Sequence, residues 1–109
     1  MRIDIATLFP DMCETVLSTS IIGRARKAGF IEIYCHNIRD FSEDKHHRVD
    51  DTPYGGGKGM LMQPEPIFKC FEAIEKKSKP HVIYMSPQGK VLTQQMAVEY
   101  SKMEHIVLL

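Results

Sequence analysis

The sequence predicts an α/β fold with a mostly parallel sheet and flanking helices. Two features of the chain lead to this prediction. Short apolar runs typical of buried strands alternate with stretches whose apolar residues recur at helical spacing. Such alternation favours β-α-β units with parallel strands, and right-handed crossovers are expected between them. The 109 residues, of which 43% are hydrophobic and 26% are charged, suffice for one domain with a single modest core.

The individual elements follow from periodicity and from the residues that start and end helices. Asp11, Ser20 and Thr93 are predicted helix caps, and Gly29 suits the position that follows a helix. In chain order, the sequence predicts a strand at residues 2–8, helices at 11–19 and 21–28, a strand at 30–37, a helix that begins at Pro64 or Pro66 and ends before Ser78, a strand at 81–85, a helix at 94–102 and a strand at 105–109.

Apolar residues at helical spacing predict which helix faces pack inward. These residues are Met12, Val16 and Leu17 in the first helix, Ile67, Phe68, Cys70, Phe71 and Ile74 in the third, and Met96, Ala97 and Tyr100 in the last. The second helix carries a basic run, Arg24, Arg26 and Lys27, which we expect to be solvated because a basic run on a short helix is usually surface.

Residues 50–60, Asp-Asp-Thr-Pro-Tyr-Gly-Gly-Gly-Lys-Gly-Met, contain four of the seven glycines in the chain. Glycine loses the most backbone entropy on ordering, so such a cluster indicates a site that needs bare backbone. A flexible linker is the alternative, but a linker is rich in Ser and lacks the stiffening Pro53. The run therefore predicts a functional loop whose amides and Lys58 form an anion-binding surface.

Other classes of function lack a required feature. A P-loop nucleotide hydrolase needs Ser or Thr after its lysine, but Gly59 and Met60 follow Lys58. A free-standing RNA-binding module would carry a basic stripe, but the formal net charge is zero. We expect no metal site, because His46 and His47 are adjacent and cannot both face one metal in regular structure.

Cysteine usage and the ends of the chain give further expectations. The three cysteines are far apart and form no Cys-x-x-Cys pair, so we expect reduced thiols in a cytoplasmic protein. We predict no signal peptide and no membrane span. The chain ends on the apolar run Ile106–Leu109, and an unpaired apolar end favours aggregation. We therefore expect residues 1–109 to be the amino-terminal part of a longer protein.

The strand at residues 81–85 runs directly into Ser86-Pro87-Gln88-Gly89. Ligands of open parallel sheets bind at the carboxyl ends of the strands, so this turn is a predicted binding segment. Together with Leu8-Phe9-Pro10, Gly23-Arg24-Ala25, Ile38-Arg39-Asp40-Phe41 and the run from His46 to Met60, it resembles the bacterial tRNA (guanine-N1)-methyltransferases in order and spacing. The Asp-Asp-x-Pro-Tyr-Gly-Gly-Gly-x-Gly-Met pattern is highly specific to that family.

The resemblance implies an S-adenosylmethionine-dependent enzyme of the knotted α/β SPOUT superfamily. It implies a homodimer that methylates N1 of the tRNA guanosine immediately 3′ to the anticodon. Residues 1–109 then correspond to the amino-terminal portion of the methyltransferase domain, with the trefoil knot incomplete. The rest of that domain, the carboxyl-terminal domain, and the family's catalytic Asp and Arg are expected beyond Leu109, and residues 1–109 alone are expected to be inactive.

The resemblance also assigns site residues. Those expected to form the first wall of the methyl-donor pocket are Tyr84, Met85, Ser86, Pro87 and Gln88. Those expected to hold the target guanosine and its neighbourhood are Asp50, Tyr54, Gly55, Gly56, Gly57, Lys58 and Gly59. Guanine N1 carries a proton that a base must remove. The family pattern places this base beyond Leu109, and not at Asp50 or Asp51.

Overall fold

The computed structural model describes residues 1–43, 46, 49–51, 61–76 and 78–109. Within this part of the chain, eight of the helices and strands match elements predicted from the sequence, and a 3₁₀ helix and two short strands are additional. The elements are β1 (Arg2–Thr7), α1 (Pro10–Leu17), α2 (Ser20–Lys27), β2 (Glu32–Asn37), the 3₁₀ helix (Ile38–Phe41), β3 (Asp50–Asp51), β4 (Leu61–Met62), α3 (Pro64–Glu75), β5 (His81–Ile83), α4 (Gln94–Ser101) and β6 (His105–Leu108).

Four parallel strands form the main sheet, in the order β2-β1-β6-β5. The central strands are β1 and β6. Ile3 of β1 pairs with Ile33 of β2 on one side and with Ile106 of β6 on the other. At the edge, His81 of β5 also pairs with Ile106. The predicted parallel α/β sheet is therefore confirmed. The last predicted strand lies inside the sheet, where Ile106 and Val107 are buried.

The main core lies between the sheet and α3. Its buried members are Ala6, Ile38, Val49, Cys70, Ile74 and Val107. Ile67 and Phe71 are partly buried against it, so the inward stripe predicted for α3 is confirmed at four positions. The prediction is wrong at Phe68, which is 61% exposed and lies beside the edge strand β5.

Two of the predicted helix-end residues act as predicted. The hydroxyl of Thr93 accepts the N–H of Met96 at 3.2 Å and caps α4, and Gly29 follows α2 with a φ of +80°. The predicted caps Asp11 and Ser20 are wrong. Helix α1 begins at a proline, so Asp11 lies in its first turn and does not cap it. Ser20 is itself the first residue of α2.

The predicted inner face of α1 is wrong at Met12 and Val16, which are each 62% exposed. The opposite side of the helix faces the protein. Glu14 accepts a hydrogen bond from Arg26 Nη2 at 2.6 Å. The Glu14 side of α1 therefore faces α2, and the apolar stripe of Met12 and Val16 lies in solvent.

Arg26 also differs from its prediction, because it is not simply solvated. Its guanidinium donates to the carbonyl oxygens of Leu17 and Ile33 at 3.5 and 3.3 Å, besides pairing with α1. It therefore joins α1, α2 and β2. Arg24 and Lys27 are exposed, as predicted.

The prediction of a buried strand at residues 81–85 is correct in its parallel pairing and wrong in its burial. β5 has three residues and lies at the sheet edge, so His81 and Val82 are exposed. On α4, Met96 and Tyr100 are half-buried toward the sheet, in the predicted direction.

Candidate functional site

β5 leads directly into the segment Tyr84–Gly89, at the carboxyl-terminal edge of the sheet. The backbone N–H of Met85 donates to the carbonyl oxygen of Leu109 at 3.0 Å, and the N–H of Leu109 donates to the carbonyl oxygen of Ile83 at 3.0 Å. These two bonds extend the β5–β6 ladder by one step and hold the start of the segment against the end of β6.

The turn at Ser86–Gly89 is closed by two hydrogen bonds to Ser86. The Ser86 carbonyl accepts the N–H of Gly89 at 3.2 Å, and its hydroxyl accepts the N–H of Gln88 at 3.2 Å. Pro87 and Gln88 are exposed, whereas Ser86 is half-buried. The turn therefore presents its Pro-Gln pair outward on a backbone that Ser86 fixes.

A cavity of about 640 Å³ opens between the sheet and α4, directly beside this segment. Its volume lies in the range of small-molecule sites, roughly 300–1,000 Å³, and its lining is predominantly apolar, as such sites require. Ile3 and Ile106 line it from the strands, Met96 lines it from α4, and Tyr84, Met85 and Ser86 line it from the segment after β5. Of the five predicted donor-binding residues, Pro87 and Gln88 do not line this cavity.

The strands β3 and β4 stand at the two ends of the glycine run. Asp50 pairs with Met62 in antiparallel register, and the carbonyl oxygen of the neighbouring Val49 accepts the N–H of Gln63 at 2.5 Å. Val49 is 1% exposed, so both ends of the run are joined to the core. Asp50 thus lies in the short strand at the amino-terminal end of the run. The other predicted guanosine-binding residues, Tyr54, Gly55, Gly56, Gly57, Lys58 and Gly59, lie outside the described residues.

Sequence reasoning missed a cluster of ionisable side chains in the centre of the sheet. The carboxylate of Asp4 in β1 is fully buried. It accepts Arg2 Nε at 2.8 Å and Nη2 at 3.1 Å, and it lies 2.6 Å from Nε2 of both His36 and His105. These partners come from β1, β2 and β6, so one carboxylate joins three adjacent strands. His105 Nδ1 lies in turn 2.7 Å from the hydroxyl of Ser78.

Burial acts to raise the pKa of Asp4, but hydrogen bonds from Arg2, His36 and His105 outweigh it and lower the pKa from 3.8 to about 2. The carboxylate is therefore ionised at neutral pH, with the Arg2 guanidinium as its counter-charge. That guanidinium also lies 4.2 Å from the ring centroid of Tyr34. The sequence carried a signal for the cluster, because Asp4 is an acid between the apolar residues Ile3 and Ile5 of β1.

A second groove, of about 460 Å³ and lined only by apolar residues, lies beside α3 and β5 and includes Phe68 and Val82.

Within the described residues, no group of three or more His, Cys, Asp or Glu side chains is placed to hold a metal ion. His47, half of the adjacent histidine pair, lies outside them. In the same described part, none of the helices is long and apolar enough to cross a membrane.

A family model described as tRNA (Guanine-1)-methyltransferase TrmD matches residues 1–109, which is the whole chain. The chain belongs to this family. The resemblance drawn from the loop and turn motifs is thereby confirmed.

Curated relatives agree with the family assignment. The chain is 55% identical over 111 residues to a tRNA (guanine-N(1)-)-methyltransferase of Ruminiclostridium cellulolyticum, covering 100% of this chain and 48% of the relative. It is 53% identical over 109 residues to the enzyme of the same name from Caldanaerobacter subterraneus subsp. tengcongensis, covering 100% of this chain and 45% of the relative. The chain spans about half the length of the curated relatives it matches.

A solved structure shows the same fold. The crystal structure of tRNA (m1G37) methyltransferase from Aquifex aeolicus matches with a TM-score of 0.89 at 33% sequence identity, covering 99% of this chain and 49% of that chain. The parallel sheet with its flanking helices is therefore shared with that methyltransferase.

Proposed function

We propose that residues 1–109 are the amino-terminal portion of the methyltransferase domain of a tRNA (guanine-N1)-methyltransferase. The proposed enzyme transfers a methyl group from S-adenosylmethionine to N1 of the guanosine immediately 3′ to the anticodon of tRNA. The observation that carries this proposal is the match of the family model along residues 1–109. The similar Aquifex aeolicus enzyme, described as an m1G37 methyltransferase, supports position 37 as the target.

The cavity beside β5 fits the methyl donor chemically. An adenosine moiety needs an apolar enclosure with a few polar contacts. Tyr84 and Met85 supply exposed apolar side chains, 74% and 68% exposed, at the rim of a cavity whose opposite side is formed by α4. We assign donor binding to Tyr84, Met85, Ser86, Pro87 and Gln88, with the remaining walls contributed by residues beyond Leu109.

The guanosine is assigned to the glycine run. Bare glycine backbone permits a flipped base to approach closely, and Asp50 lies at the entrance of the run. S-adenosylmethionine, when bound, supplies an electrophilic methyl carbon with a sulfonium leaving group. The residues of this chain then hold the donor and guanine N1 in line for transfer. Removal of the N1 proton is assigned to the family's Asp, assisted by its Arg, beyond Leu109.

The proposed enzyme is a cytoplasmic homodimer, and an exposed apolar stripe supports the association. Phe9, Met12 and Val16 are spaced to lie on one side of α1, and each is at least 60% exposed. Ile21 on α2 is 74% exposed. Exposed apolar stripes of this kind mark protein interfaces. A paired substitution, Met12→Lys with Val16→Lys, is expected to convert the full-length protein to monomers in sedimentation experiments; an unchanged dimer would reject this face as the interface.

Calorimetric titration of the full-length protein with S-adenosylmethionine tests the donor site. We expect measurable binding, and we expect Tyr84→Ala to weaken it roughly tenfold through loss of an aromatic contact. Phe30→Ala is the matched control, because Phe30 is an aromatic residue, 75% exposed, that does not line the cavity. Absence of donor binding by the unmodified protein would reject the proposed function, and equal affinities of the two variants would reject the assignment of Tyr84.

A further inference from the structure

The register of β5 needs an explanation that burial does not supply. His81 and Val82 are exposed and Ile83 is only half-buried, so the apolar pattern that usually fixes a strand is weak. A slip of two residues restores every backbone hydrogen bond of a parallel pair and keeps each side chain on its face. Such a slip would move the following segment, Tyr84–Gly89, by about 7 Å.

One side-chain contact distinguishes the observed register from a slipped one. Ser78 lies three residues before β5, and its hydroxyl is 2.7 Å from Nδ1 of His105, the first residue of β6. The next residue, Ile106, is the register partner of His81. A slip of β5 along β6 would carry Ser78 out of reach of His105.

His105 can serve as a fixed reference because its own position is set from the buried side. It is 5% exposed, and its Nε2 lies 2.6 Å from the Oδ2 atom of Asp4, which is fully buried. Asp4 is held in turn by Arg2 and His36. Because Nε2 faces a carboxylate oxygen, it carries a proton and donates. On the other side of the ring, Nδ1 lies 2.7 Å from the hydroxyl and 3.2 Å from the carbonyl oxygen of Ser78.

The ring contact between β5 and α4 gives no comparable reference. The rings of His81 and Tyr100 lie 5.6 Å apart between centroids, which joins β5 to α4. α4 has no fully buried residue, so its position relative to the sheet is itself weakly fixed. The Ser78–His105 contact instead joins the residues before β5 to the buried Asp4 in the centre of the sheet.

We propose that Ser78 and His105 are positioning residues that set the register of β5 and thereby place the Tyr84–Gln88 segment. This inference rests on the proposed function, in which that segment binds the methyl donor. The hydroxyl of Ser78 acts through β5 and does not contact the donor.

The test is Ser78→Ala in the full-length protein, with Ser78→Thr as the conservative variant. Ser101→Ala is the matched control, because the Ser101 hydroxyl bonds only within its own helix, to the Val98 carbonyl. Amide hydrogen exchange at Met85 and Leu109 reports the β5–β6 pairing. We expect Ser78→Ala to speed exchange at both amides about fivefold, equivalent to one neutral hydrogen bond of about 1 kcal/mol. Exchange in β1 is expected to stay unchanged.

The kinetic readout is the KM for S-adenosylmethionine, which should rise severalfold in Ser78→Ala with a smaller change in kcat. Ser78→Thr should restore both readouts. Unchanged exchange at Met85 and Leu109, or failure of Ser78→Thr to restore it, would overturn the register role. Faster exchange with an unchanged KM would overturn the link to the donor segment. Absence of donor binding by the unmodified protein would instead reject the proposed function.

Discussion

Replacing the buried carboxylate of Asp4 by an amide of the same shape, Asp4→Asn, removes the charge shared by Arg2, His36 and His105. An amide accepts through one oxygen only, so at least one of these donors then faces N–H groups. Removing one partner of a buried ion pair typically destabilises a protein by about 3–5 kcal/mol. The Arg2 side chain keeps 24% of its surface in solvent, which reduces the free-energy cost of leaving its charge without a partner. We expect a decrease of about 3 kcal/mol in the free energy of unfolding at pH 7.

The pH dependence gives this prediction a second, independent part. The pKa of Asp4 is about 2 in the folded protein against an ordinary 3.8, so the unfolded chain takes up a proton more readily. The ionised carboxylate therefore stabilises the fold fully above about pH 5 and loses this contribution as the pH falls to 2. The shift corresponds to about 2 kcal/mol. Asp4→Asn has no carboxyl there, so its deficit should shrink by that amount between pH 5 and 2.

Urea unfolding followed by circular dichroism at pH 7, 5, 3 and 2 measures both parts. Glu99→Gln is the matched control, because Glu99 is an exposed carboxylate on α4. Its free energy of unfolding should follow the unmodified protein within about 0.5 kcal/mol. The reasoning would be refuted if Asp4→Asn lowered the free energy of unfolding at pH 7 by less than about 0.5 kcal/mol. It would also be refuted if the difference from the unmodified protein stayed constant down to pH 2.

Three further outcomes are expected. Gly23→Ala should lower the free energy of unfolding by about 1–3 kcal/mol, because its Cβ would lie 2.4 Å from the Ser18 carbonyl oxygen; an unchanged urea midpoint would contradict this. Thr93→Ala should remove the α4 cap at about 1 kcal/mol, measured in the same way, with Thr93→Ser retaining it. Burial raises the pKa of Cys70 to about 11, so iodoacetamide at pH 8 should alkylate it roughly a hundredfold more slowly than in the urea-unfolded chain; equal rates in a mass-spectrometric time course would contradict this.

Elements that depend on local periodicity were predictable from the sequence. The stripe of α3 and the alternation of β2 each place apolar residues at a fixed spacing within a few turns or steps. Cys70, Ile74 and Ile33 are accordingly buried as the pattern requires. The Thr93 cap is equally local, since its acceptor and donor are three residues apart.

Features that depend on distant partners were not predictable in this way. The outward turn of Met12 follows from the pairing of Glu14 with Arg26, twelve residues away. The Asp4 cluster joins residues 101 positions apart, and no local pattern links Asp4 to His105. The edge position of β5 is likewise a property of strand order, which periodicity does not encode. At the candidate site, three residues of the donor segment line a cavity, in agreement with their position directly after a strand. The sequence did not predict that α4 forms the opposite wall of this cavity.

Methyl transfer to a defined atom is the measurement that tests the proposed function most directly. The full-length protein is incubated with S-adenosylmethionine and an unmodified tRNA transcript, and the digested nucleosides are identified by mass spectrometry. We predict 1-methylguanosine from position 37 and no product from a transcript with adenosine at that position. A methyl group on another atom or nucleoside, or no transfer by a preparation that binds the donor, would contradict the proposed function.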